Sequence, residues 1–171
     1  MPRAPFVYDK AKYHEGSCVK MHIPREQSFV HTGLFVAWLA IHDLLSKKFE
    51  YDSSVIAAIK SRSAARTNLY EWCDGVLDDE MLSAEGNKFS RSYFDFDKGE
   101  YIKDYMRYVS KGMPSEFHVS NTWTSYDRWE PVIDARYRQF KGEEAELPPV
   151  PSAPLRPVDA IPFWKRIFAR D

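Results

Sequence analysis

The chain has 171 residues, 44% of them hydrophobic and 15% aromatic, which is ample material for one packed core and too much for a disordered chain. Its 24 basic and 25 acidic residues leave a formal charge of -1, so no global field draws it to nucleic acid or to an anionic membrane. Two cysteines, Cys18 and Cys73, are too few for a disulfide framework, or for structural zinc without help from histidines, and both are read as reduced.

The opening MPRAPFVYDK lacks the apolar run of a secretion signal, which predicts a chain that stays in the cytoplasm. The longest apolar stretch, Phe29 to Leu45, is interrupted by His31, Thr32, Gly33, His42 and Asp43 and is too short and polar for a membrane span. Pro24 and Glu26 suit a helix start and Lys47 and Lys48 its end, predicting a helix over 24–47 that is apolar nearly all round and therefore central. A short stripe of Val55, Ile56 and Ile59 predicts a helix over 53–62. Leu69, Trp72, Cys73, Val76 and Leu77, at spacings of three and four, predict another from about 65 to 77, weakened by Gly75.

Phe89 and Tyr93 lie one turn apart in a helix predicted near 83–94. Asp97 followed by Glu100 resembles a capping box for a helix striped by Tyr101, Ile102, Tyr105, Met106 and Val109. The last core helix shows Tyr126, Trp129, Ile133, Tyr137 and Phe140 on one side, with Pro131 at its start or at a kink. Phe117 to Ser120 and the N-terminal Phe6 to Tyr8 read as short extended pieces. After Gly142 the stretch to Pro162 holds six of the chain's 11 prolines and predicts an extended tail. The expected fold is therefore all-α: five to six helices bundled around a buried central one over 1–142. A Pro-rich tail over 143–171 follows, ending in a short amphipathic helix that carries Trp164 and Phe168.

Five histidines invite a metal or acid/base reading. His31 and His42 share a helix face but stand eleven residues apart, about 16 Å along the axis, so they cannot ligate one ion together. Each reads as a packed core histidine. His14, His22 and His118 fall in irregular segments and read as solvent-facing. Cys73 sits in an apolar stripe and reads as an inert packing group. Glycine-rich phosphate loops, CxxC, HExxH and GxSxG are all missing, so no catalytic residue, metal or cofactor is assigned.

From Asp74 to Asp104 nine acidic residues face four basic ones, the largest charge asymmetry in the chain. Asp74 and Asp78, one helical turn apart in the predicted helix, could hold a hard cation or simply form a solvated face. Asp74, Asp78, Asp79 and Glu85, with Trp164 and Phe168 of the tail, are the candidate partner-binding residues.

The succession KYHEGSC, FVHTGLFVAWLAIHDLL, LYEWCDGVLDDEML, EGNKFSRSYFDF, KGEYIKDY and NTWTSYDRW resembles an uncharacterised family of bacterial cytoplasmic helical proteins, from about Tyr13 to Phe140. Such proteins are similar in size and character to immunity proteins that neutralise bacterial toxins, an analogy of type that rests on no motif. The expected function is a protein-binding module, most concretely an immunity-type inhibitor whose partner is a cognate toxin domain, with no nucleic acid or membrane involved. The competing readings are a metal-dependent enzyme that joins His31 or His42 to these carboxylates, and an adaptor that uses the Pro-rich tail.

Overall fold

In the computed structural model, residues 4–50, 53–63 and 69–162 are described. A β-strand, β1 (Val7–Lys10), leads through a 3-10 turn into α1 (Glu15–Met21), and a second 3-10 turn at Arg25–Phe29 leads into α2 (Val30–Ile41). α3 (Lys47–Glu50) and α4 (Ser53–Lys60) follow, then β2 (Val76–Asp78), α5 (Ala84–Tyr93), α6 (Tyr101–Tyr108) and α7 (Trp123–Phe140). The fold is mostly helical, but it is not all-α: β1 and β2 pair antiparallel into a two-stranded sheet.

α2 is the hub. Every residue from Val30 to Ala40 is buried, as expected for a helix that is apolar nearly all round. It is shorter than the predicted 24–47, because Pro24 opens a 3-10 turn and His42 with Asp43, the latter at φ 57°, closes the C-terminus. Phe35 stacks on Phe94 at 4.8 Å and meets Tyr101 edge-on at 5.1 Å, while Tyr101 and Trp129 cross at 5.3 Å. Burial of each such ring contributes roughly 1.5–3 kcal/mol. Polar atoms inside this cluster are served as well: the Tyr101 hydroxyl donates to the His31 carbonyl and accepts from Trp129 Nε1.

The segment predicted as a helix over 65–77 is turn and strand among its described residues. Asp74 and Gly75 both adopt positive φ, 51° and 61°, which ends the turn that begins near Leu69. A Cβ on Gly75 would also lie 2.9 Å from the Ala11 side chain, where its carbonyl accepts from Ala11 N. Leu69 and Leu77 reach the core all the same, so the helix-like spacing reflects burial from two different elements.

Gly86 allows α5 to approach the loop after α2, since a Cβ there would stand 2.4 Å from the Leu44 carbonyl. Ser83 caps α5 by accepting from Gly86 N, and Thr122 caps α7 by accepting from Ser125 N. α6 lacks the capping box: Asp95 instead accepts from the backbone of Asp97 and Lys98, and α6 begins only at Tyr101. Asp104 on α6 takes a two-pronged hydrogen bond from Arg136 on α7, at 2.7 and 3.0 Å, with Tyr93 as a third donor. α7 runs through Pro131 without interruption.

Residues 143–162 are extended and tied to the helical body. Val158 N donates to the His118 carbonyl, Ile161 N to the His22 carbonyl, and Gln139, Arg128 and Ser120 donate to tail carbonyls. Leu147, Val150 and Leu155 pack against the core. The expected amphipathic helix with Trp164 and Phe168 lies outside the described residues. Among the described residues no helix is long and apolar enough to cross a membrane.

Candidate functional site

The acidic residues singled out by the sequence are dispersed. Asp74 is exposed in the turn before β2, and Asp78 ends that strand, so the two do not share a helix face. Asp78 accepts from Glu80 N and Met81 N and caps the 3-10 turn there. Asp79 accepts from Phe6 N at 2.8 Å and from Arg91 at 3.4 Å. Glu85 accepts from the Tyr137 hydroxyl and Lys141 Nζ, and these two donors hold its carboxyl below the usual range. Three of the four carboxylates thus have internal work, and neither His31 nor His42 joins them in a metal site.

Beside Asp79 runs a row of aromatic rings. Phe6 packs edge-on against Tyr8 at 5.1 Å, Tyr8 against Phe94 at 6.4 Å, and Phe94 against Phe96 at 5.0 Å. Both ends surface: Phe6 is 42% exposed and Phe96 37%. Arg91 lies over the Phe6 ring at 4.9 Å, and the Tyr8 hydroxyl is anchored on Asn87.

Two histidine-carboxylate groups stand at opposite ends of α2. At the C-terminal end, His42 stacks on Trp38 at 4.1 Å. Its Nδ1 faces the Trp38 carbonyl at 2.9 Å and its Nε2 faces Asp134 Oδ1 at 3.2 Å, while Trp38 Nε1 donates to the same oxygen. Both ring nitrogens therefore point at acceptors. Burial works against the charged form of His42, but Asp134 and the Trp38 carbonyl outweigh it and raise its pKa.

At the N-terminal end, β1 supplies Asp9, the residue before α1 supplies His14, and the first turn of α2 supplies His31 and Thr32. A register shift between Val7 and Asp9 lets the strand bend there, and Asp9 is only 2% exposed. Its Oδ1 lies 2.9 Å from His14 Nε2, and its Oδ2 lies 3.4 Å from His31 Nε2 and accepts from the Thr32 hydroxyl at 2.5 Å. One donor atom from each of Asp9, His14 and His31 falls within 4.8 Å of the others. Burial favours the neutral carboxyl, yet the hydrogen bonds from His14, His31 and Thr32 prevail and hold Asp9 well below the usual carboxylate range.

The His14 and His31 rings meet edge-on at 5.2 Å, with Phe117 against both, Phe96 at 5.9 Å and Tyr105 at 6.2 Å from His31. His14 is therefore only partly solvent-facing, and His118 is buried against Ser115. His22 is exposed. The missed residue is Asp9, whose strand gave no alternation to read. Two of the resembling stretches, KYHEGSC and FVHTG, did contain His14 and His31. The two thiols are passive: burial pushes Cys18 up to about 11 and Cys73 to about 12, and Cys73 Sγ faces the Leu69 carbonyl.

No curated protein and no solved structure matches the chain. A family model does: it covers residues 7–119, a span that includes Asp9, His14, His31 and all of the aromatic row except Phe6, and it is described as a domain of unknown function, DUF7832. The chain belongs to that family.

Proposed function

We propose that this chain is a protein-binding module, most concretely an immunity-type inhibitor that occludes a basic toxin domain of bacterial origin in the cytoplasm. The observation that carries the reading is the aromatic row whose two ends, Phe6 and Phe96, are exposed while its middle is locked into the core. Rigid aromatic side chains beside an arginine are the residues that most often dominate binding energy, because they bring large contact area at little cost in side-chain entropy. Arg91 lies over one end, and the Asp74–Asp104 stretch gives the surroundings an acidic excess. Such a field speeds the capture of a basic partner more than it tightens the complex.

The test is co-expression with the toxic domain encoded in a neighbouring gene. The native chain is expected to restore growth and to bind that domain. Phe6→Ala with Phe96→Ala is expected to weaken binding at least tenfold without loss of fold. Asp74→Asn with Glu80→Gln, both exposed, is expected to slow association mainly at low salt. Asp78, Asp79 and Glu85 are poorer probes of docking, because their replacement also removes internal hydrogen bonds. Undiminished protection by the double Phe variant would end the reading of this surface as the anchor.

A further inference from the structure

We propose that Asp9, His14 and His31 form a site for one divalent first-row transition ion, held by a carboxylate oxygen and two imidazole nitrogens. The inference shares only Phe96 with the docking surface and begins with His31. This residue is 1% exposed; its Nδ1 has no hydrogen-bond partner among the described residues, and its Nε2 makes only a long contact of 3.4 Å to Asp9. Buried polar groups are nearly always well satisfied, and a ring held this loosely leaves Nε2, the nitrogen that faces Asp9, available to a stronger partner. Among the described residues no further acceptor or donor reaches this ring. A cation between the three side chains would draw in the loosely held Nε2.

The spacing suits such an ion. Donors bound at 2.0–2.1 Å around a tetrahedral centre lie about 3.3 Å from one another. Asp9 Oδ1 stands 2.9 Å from His14 Nε2 and Oδ2 stands 3.4 Å from His31 Nε2, and one donor atom from each of the three residues lies within 4.8 Å of the others, so shifts of about 1 Å would close the set. Two imidazoles and one carboxylate match zinc, cobalt and iron(II), and they match magnesium or calcium poorly, since those ions prefer all-oxygen shells. The Thr32 hydroxyl donates to Asp9 Oδ2 and fixes the carboxylate's orientation. Phe117, Phe96 and Tyr105 form the apolar surround that strengthens charge-dipole contacts. The side chain of His14 is 25% exposed and gives the ion a path in. Three protein donors leave at least one coordination position for water or for a group from a partner.

The experiment uses the full chain, stripped with a chelator and titrated with Co²⁺ by visible absorption and with Zn²⁺ by calorimetry. One equivalent is expected, with a cobalt band of the strength given by four or five ligands. Asp9→Asn could disturb folding, so the decisive variant is His14→Gln at the accessible edge, with folding checked by circular dichroism. It is expected to lose at least about 100-fold in affinity, and Thr32→Val about 10- to 100-fold. His42→Gln, at the other end of α2, is expected to bind as the native chain does. Absence of uptake at about 100 μM metal, or native-like binding by folded His14→Gln, would overturn the site and leave a histidine-carboxylate cluster held by hydrogen bonds alone.

Discussion

The two ends of α2 pose the same chemical problem, a histidine next to an aspartate, and solve it differently. At His42 two acceptors face two nitrogens, so the protonated ring is fully served by protein atoms, and the group is half open to water. At His31 the carboxylate is more deeply buried and shared among three donors, and the ring is left short of partners. A complete hydrogen-bond set is what a structural ion pair needs. A buried set that lacks one member is what a binding site looks like when described by its protein atoms.

The sharpest way to separate the two ends is to remove each carboxylate. Asp9→Ala takes the shared acceptor from a buried network and is expected to destabilise the fold by about 3–5 kcal/mol, read as a lower midpoint in urea unfolding. Asp134→Ala, with its side chain 44% exposed, is expected to stay below about 1 kcal/mol after solvent screening. Equal effects would erase the distinction. Thr32→Val tests the inner group more gently: leaving Asp9 one donor short should lower stability by about 1–2 kcal/mol.

The smallest effect is a pH dependence at the outer group. His42 has a raised folded-state pKa, so its contribution is fully present below the ordinary histidine value and is lost as pH rises through the raised one. The native chain should therefore shed a few tenths of a kcal/mol between about pH 6 and 8. His42→Gln should flatten that part of the profile, as measured by urea midpoints at a series of pH values. A native profile that rises over this window would contradict the assignment of His42 as the protonated partner.

Much of the scaffold was legible because it depends on local periodicity. A helix apolar on all sides can only be central, and α2 is. The same spacing argument placed α5 and α7 correctly and showed that His31 and His42 act apart. It failed where burial came from non-local pairing. β1 overlaps the extended piece read at Phe6 to Tyr8, but its pairing with β2, almost 70 positions away, left no local mark, and β2 fell within the predicted helix and just past its end. The Leu69 to Leu77 spacing imitated a helix because a turn and a strand both delivered apolar residues to one core. Asp9 was invisible for the same reason: its importance comes from a bent strand that meets the start of α2, and nothing within its own neighbourhood announces that meeting.

The tail has a reach that its composition conceals. Its two backbone anchors fall on His22, at the end of the helix that His14 begins, and on His118, next to the phenylalanine that covers both inner histidines. A cut near Pro154 is therefore expected to speed hydrogen exchange around His22 and His118, whose carbonyls the tail's backbone engages.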